Sequence, residues 1–171
     1  MVSMITFILP GFSSSNKIWV DGVAKKLNID GEIRPVYWDH WTNPDNSLKP
    51  KAKAQDIVDI AMKEKINIIA KSVGTLTAAY VAGLVPNQIN KIILCGIPSV
   101  SGKRLSIYKE TLGKIQPDKV AIFQNTADPF ASFNEVKTFI NKLNSKISVI
   151  EKPLRSHDYP YFEDFQKFLS N

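Results

Sequence analysis

The fold is decided by residues 66–75, which read INIIAKSVGT. Residues 66–70 form a short and nearly all apolar segment, which is typical of a strand buried on both faces of a parallel sheet. A tight turn at Lys71-Ser72 follows, and then a helix that we predict to begin near Thr75. A strand that turns sharply into a helix presents the residue at the turn, here Ser72, as an exposed apex.

Short apolar segments alternate with amphipathic segments along the whole chain, which predicts stacked βαβ units. We expect an α/β domain with a six-stranded, mostly parallel sheet and helices on both faces. The predicted strands are residues 5–9, 33–37, 66–70, 91–95, 120–124 and 147–150. The predicted helices are residues 18–27, 52–64, 75–84, about 105–112, 134–143 and 161–169, the fifth of them after a capping box at Ser132 and Glu135.

Size and composition indicate one ordinary globular domain over residues 1–171. The chain has 171 residues, of which 44% are hydrophobic and 22% charged. Its single cysteine, Cys95, forms no internal disulfide, so we expect a cytoplasmic location. The apolar start, residues 1–9, is too short for a membrane span and lacks a basic flank, so no membrane partner is expected.

The charge pattern argues against nucleic acids and nucleotides as partners. Lys and Arg number 22 against 16 Asp and Glu, a net charge of +6, but the basic residues are scattered and form no recognition motif. The segment from Gly96 to Arg104 resembles a phosphate-binding loop only superficially. It has five residues between its glycines where four are needed, and Arg104 stands where Ser or Thr would bind magnesium.

A metal site is a second alternative, at His40 with Asp39 and Asp45. Tryptophans flank this histidine at positions 38 and 41, which favours a packed loop in which His40 is structural. We therefore predict no metal and no cofactor.

Chemistry-bearing residues follow three of the predicted strands, at the edge where ligands bind in open parallel sheets. Ser72 follows the third strand, Asp128 the fifth and His157 the sixth. Each has an ordinary explanation of its own: Ser72 caps a helix, Asp128 makes a turn before a proline, and His157 is a surface residue. Together they are the parts of a serine nucleophile with its base and acid.

The first strand runs into Pro10-Gly11-Phe12, a turn beside the predicted serine apex. Backbone N–H groups of Phe12 and Val73 are candidates for an oxyanion hole, in which such donors stabilise the charge that develops on a carbonyl oxygen. A polar surface loop is the alternative interpretation of this turn.

The joint pattern resembles the α/β-hydrolase family across essentially the whole chain. Its nucleophile elbow matches residues 70–74, AKSVG, with Gly74 conforming and Ala70 standing where glycine is usual. The acid and histidine follow in the family's order. The resemblance implies a minimal fold that lacks the family's first two strands and the lid usually inserted after the strand ending at Cys95. Residues 10–12 and 38–41 are similar to small lidless serine hydrolases related to retinoblastoma-binding protein nine, from which Lys71 departs.

The resemblance implies a catalytic triad of Ser72, Asp128 and His157 acting on a small-molecule acyl substrate through an acyl-enzyme. Two alternatives stay open. One is a binding protein that keeps the fold without turnover, for which Ala70 and Lys71 are the only support. The other is a peptidase, amidase or thioesterase with the same machinery. The sequence predicts no oligomeric state.

Overall fold

The computed structural model describes residues 3–171, so the first two residues of the predicted domain lie outside the described ones. Six strands alternate with six helices. The strands are β1 (Met4–Leu9), β2 (Glu32–Pro35), β3 (Lys65–Lys71), β4 (Ile89–Cys95), β5 (Val120–Asn125) and β6 (Ser148–Lys152). The helices are α1 (Asn16–Lys26), α2 (Pro50–Ala61), α3 (Val73–Leu84), α4 (Lys103–Leu112), α5 (Phe133–Asn144) and α6 (Phe162–Ser170).

The strands form one sheet in the order β2-β1-β3-β4-β5-β6, and every pairing is parallel. Connections between parallel strands must cross over the sheet, which explains why a helix follows each strand. β3 lies at the centre, and its residues from Ile66 to Lys71 are buried. The predicted α/β sheet is confirmed, and it is entirely parallel rather than mostly so.

Helices cover both faces of the sheet, as predicted. On one face α2, α3, α4 and α5 contribute side chains such as Ile57, Leu76, Leu112 and Val136 to the larger apolar cluster. On the other face α1 and α6 form a smaller cluster that contains Val20 and Phe165. Burial of these two apolar surfaces is the main force that holds the helices against the sheet.

Several element ends differ from the prediction. β2, predicted to span residues 33–37, runs from Glu32 to Pro35, and the following N–H, that of Val36, still donates to the Ile8 carbonyl of β1 at 2.9 Å. α2 ends at Ala61 rather than at residue 64, because Met62 takes a positive φ of 52° that no α-helix continues. The capping box before α5 is confirmed, with the N–H of Ser132 donating to Glu135 at 2.8 Å.

Between β4 and β5 the described chain holds a single α-helix, α4, and no inserted domain. Among residues 3–171, no helix has both the length and the apolar composition that crossing a membrane requires. The carboxyl ends of the strands are bordered by the loops that lead into the helices, and the longest of these within residues 3–171, residues 36–49, contains a short helical turn at residues 39–41.

Candidate active site

Ser72 lies at a strained turn between β3 and α3. Its φ of 56° and ψ of −124° lie outside the regions that residues with a side chain normally adopt. Such strain persists only where the surrounding structure enforces it, and here the N–H of Ser72 donates to the carbonyl of Cys95 at 2.9 Å. Ser72 occupies the N-cap position of α3, but its hydroxyl makes no capping hydrogen bond to the helix.

Gly74 allows the first turn of α3 to lie against the end of β1. A Cβ at this position would lie 2.7 Å from the carbonyl oxygens of both Leu9 and Pro10. Real Cβ atoms do not approach backbone this closely, so a side chain here would push the helix away from the loop. Ala70, where the family usually has glycine, is fully buried within the sheet.

The unusual Lys71 is buried and points to the α1 side of the sheet. Its ammonium donates to Asn16 Oδ1 at 3.0 Å and lies 5.8 Å from the ring of Trp19. Asn16 in turn donates to the Ser13 carbonyl at 3.0 Å. Burial lowers the pKa of Lys71 from its ordinary value. Lys71 thus connects the elbow to the loop after β1.

Asp128 and His157 are brought together at the ends of β5 and β6. His157 Nδ1 lies 2.6 Å from Asp128 Oδ2, and the Asp128 side chain is fully buried. The other carboxylate oxygen accepts the Phe130 N–H at 2.9 Å, so the predicted turn aspartate is present as well. Burial would raise the pKa of Asp128, but hydrogen bonds from His157, Tyr159 and Phe130 outweigh it and hold that pKa below its ordinary value.

The tautomer of His157 follows from this contact. A carboxylate accepts hydrogen bonds, so Nδ1 carries the proton and Nε2 of the neutral ring is left as an acceptor. Nε2 is buried and has no hydrogen-bond partner among the described residues, Ser72 included. The ring lies against Gly96, where a Cβ would be 2.9 Å from His157 Cε1. Gly96 directly follows Cys95, the residue that holds the Ser72 backbone.

Two further polar side chains hold this pair, and the sequence reasoning missed both. Tyr159 is fully buried and donates to Asp128 Oδ2 at 2.6 Å. Asn125 donates from its amide to the carbonyls of Ser156 and Asp158, at 2.8 and 2.7 Å, and so clamps the chain on either side of His157. For Asn125 the available signal was a polar residue at the end of a buried apolar strand, and Tyr159 had none.

The loop after β1 is fixed by three ring N–H groups. Trp38 Nε1 donates to the Gly11 carbonyl at 2.8 Å, and Trp41 Nε1 donates to the Phe12 carbonyl at 2.8 Å. His40 Nε2 lies 2.9 Å from the same Phe12 oxygen, which can only accept, so this nitrogen carries the proton. The Phe12 and His40 rings are stacked with centroids 4.5 Å apart.

These contacts orient the amides predicted for the oxyanion hole. In a planar trans peptide the C=O and N–H point in opposite directions. Since the Gly11 carbonyl points to Trp38, the Phe12 N–H points away from it, and it makes no hydrogen bond within residues 3–171. Val73 is the first residue of α3, where a backbone N–H has no partner in the helix.

A cavity of about 430 Å³ opens between this loop and the start of α3. It is lined by Phe12 and Val73, the residues that carry the candidate amide donors, and by Arg104 at the start of α4, whereas Ser72 and His157 are not part of its wall. Two exposed aromatic rings border the site. Phe12 is 60% exposed, and Phe130 is 63% exposed with its centroid 4.6 Å from that of His157.

The alternative metal site is not assembled. His40 is committed to the Phe12 carbonyl, and Asp39 pairs with Lys53 at 3.3 Å. Within residues 3–171 no group of three or more His, Cys, Asp or Glu side chains is placed to hold a metal ion.

Comparison with known proteins supports the fold rather than an activity. No family model and no curated protein sequence matches the chain. Among solved structures it is similar to XC6422 from Xanthomonas campestris, a serine hydrolase without lid, with 14% identity, a TM-score of 0.66, and coverage of 98% of this chain and 79% of that one. It is also similar to Est1E from Butyrivibrio proteoclasticus, with 17% identity, a TM-score of 0.71, and coverage of 97% of this chain and 88% of that one. A third similar structure is that of mouse alpha/beta hydrolase domain-containing protein 10, with 10% identity, a TM-score of 0.67, and coverage of 97% of this chain and 88% of that one.

Proposed function

We propose that this chain, which has the α/β-hydrolase fold, is a serine hydrolase that cleaves small carboxylic esters or related acyl bonds with Ser72, His157 and Asp128. The observation that carries the proposal is the state of His157. One ring nitrogen is held by a buried carboxylate at 2.6 Å, and the other is buried without a partner among residues 3–171. The ring lies against Gly96, which directly follows the residue whose carbonyl accepts the Ser72 N–H. A histidine held in this way is suited to accept a proton.

In the proposed mechanism His157 Nε2 takes the proton of the Ser72 hydroxyl while the serine oxygen attacks the substrate carbonyl. The N–H groups of Phe12 and Val73 stabilise the resulting oxyanion. Asp128 keeps the histidine in the required tautomer and stabilises the imidazolium. That imidazolium then protonates the departing alcohol, and a water molecule, deprotonated by the same histidine, releases the acid from the acyl-enzyme.

The substrate proposal follows from the open setting of the site. Only α4 separates β4 from β5, and a cavity of about 430 Å³ lies at the amide donors. This volume falls in the lower part of the range for small-molecule sites. We therefore propose short or slender acyl substrates, with hydrolysis that is not activated by lipid interfaces.

The departures at the elbow do not favour the binding-protein alternative. Ala70 is accommodated within the sheet, and Lys71 points to the α1 side, where it bonds to Asn16. Both leave Ser72 at the apex of the turn.

The proposal is tested with acetyl, butyryl and octanoyl esters of p-nitrophenol, together with a matched acetyl thioester and acetyl anilide. We expect hydrolysis that declines with acyl length and disappears in Ser72→Ala. Ser145→Ala, which changes an exposed serine just beyond α5, serves as the control and should match the wild type. Folded wild-type protein that cleaves none of these compounds would refute the proposal. Preference for the thioester or anilide would change the substrate class and keep the mechanism.

A further inference from the structure

The charged side chains that line the cavity beside Phe12 and Val73 are of one sign, positive. Apart from the two donor residues, its wall is formed by His40, Pro44, Asn46, Ser47, Leu48, Pro50 and Arg104. Arg104 is the cation in this wall, and no aspartate or glutamate lines it.

Arg104 has no partner within the described part of the chain. Its exposed guanidinium makes no hydrogen bond and no ion pair with residues 3–171; the same holds for Arg155, and Arg104 differs from it by lining the cavity. An arginine fork is suited to planar, bidentate binding of a carboxylate or phosphate. Its planar donors are therefore available on the wall of the cavity.

We infer that Arg104 binds an anionic group of the substrate, so that the preferred esters carry a carboxylate or phosphate at the end away from the bond that is cleaved. The inference rests on the proposed function of the adjacent Ser72. The apolar side chains of Phe12, Pro44 and Leu48 would contact the slender body of such a molecule, and the guanidinium its charged end.

The charged group can belong to the acyl part or to the alcohol part, and two pairs of substrates separate these cases. Monomethyl adipate and methyl hexanoate differ in charge at the end of the acyl chain. 4-Acetoxybutanoate and butyl acetate differ in charge at the end of the alcohol. Release of methanol or acetate is followed by NMR.

We expect wild-type protein to prefer the charged member of at least one pair by about tenfold in kcat/KM, the size of one charge-assisted hydrogen bond. Arg104→Gln should reduce kcat/KM for the charged member about tenfold and so abolish that preference. Lys103→Gln is the matched control, because it removes the neighbouring exposed charge, which does not line the cavity. The inference is wrong if wild type shows no preference in either pair, or if Lys103→Gln removes as much of it as Arg104→Gln.

A binding measurement separates this inference from the proposed function. In the Ser72→Ala background, NMR titration with monomethyl adipate and 4-acetoxybutanoate should show binding of at least one that Arg104→Gln weakens about tenfold. That result would support the anion site even if no ester were hydrolysed. Cleavage of neutral esters with no binding of either charged one would overturn the anion site and leave the proposed hydrolase intact.

Discussion

The two histidines occupy loops on either side of the candidate nucleophile. Each uses one ring nitrogen for a hydrogen bond to an oxygen atom, but the two oxygens differ in charge. His157 bonds through Nδ1 to the carboxylate of Asp128, and His40 bonds through Nε2 to the carbonyl of Phe12. In both rings the second nitrogen is buried without a partner among the described residues. The difference lies in the charge of the acceptor.

A carboxylate stabilises the imidazolium that forms when the free nitrogen accepts a proton, and a neutral carbonyl does so far less. His157 is therefore equipped to act as a base. His40, stacked on Phe12 and bonded to its backbone, is equipped to hold a loop in place. The comparison teaches that the partner of a histidine indicates its role better than its burial does.

The largest effect should come from His157→Ala. Loss of the proposed base should reduce kcat for acetyl ester hydrolysis by at least about 10⁴-fold, because the serine then has no group to accept its proton. Steady-state assays of acetyl ester hydrolysis at neutral pH measure this change in kcat directly. Retention of activity within about tenfold of wild type would remove His157 from the mechanism, and the assigned difference in role between His157 and His40 would then be wrong.

Asp128→Asn should reduce kcat by about 10⁴-fold, and by less than loss of the histidine itself. The amide holds the ring in the wrong tautomer and does not stabilise the imidazolium. Circular dichroism shows whether the variant is folded. If a folded Asp128→Asn protein is as active as wild type, the contact at 2.6 Å is structural only.

His40→Ala should reduce kcat about five- to tenfold with KM for a short acetyl ester nearly unchanged, because it removes one hydrogen bond from the loop that carries a proposed oxyanion donor. Trp41 still donates to the Phe12 carbonyl, so the loop should stay largely ordered. Asp45→Ala, an exposed change in the same segment, is the matched control. A loss as large as that of His157→Ala would mean that His40 takes part in proton transfer.

The smallest effect concerns stability in acid. The pKa of Asp128 lies below its ordinary value in the folded protein. Its charge therefore contributes stability that is present above that ordinary value and lost as pH falls through the folded-state pKa. Denaturant unfolding at a series of pH values should show a stability gap between wild type and Asp128→Asn that narrows towards acid. A gap that widens in acid would contradict the assigned hydrogen bonds.

Much of the fold could be predicted because short apolar strands and amphipathic helices are local patterns. The positions of Ser72, Asp128 and His157 at the strand ends followed from the same patterns, and their catalytic roles remain predictions. The order of the strands in the sheet was not predicted, since it depends on which strands pair across the chain.

The contacts that hold the candidate site could not be predicted, because they join residues far apart in sequence. Tyr159 reaches Asp128 across 31 positions, and His40 reaches Phe12 across 28. A tyrosine or histidine in a loop carries no local signal of such a partner.

The central claim is that Ser72 is an activated nucleophile, and covalent labelling with a fluorophosphonate probe tests it most directly. Such a probe reacts with a serine that has a base and an oxyanion hole, so mass spectrometry of wild-type protein at neutral pH should find one adduct, on Ser72. Ser13, Ser14 and Ser15, on the neighbouring loop, should stay unmodified. Labelling should be lost in Ser72→Ala and in His157→Ala. Folded wild-type protein that takes up no probe, or takes it up on another serine, would contradict the account.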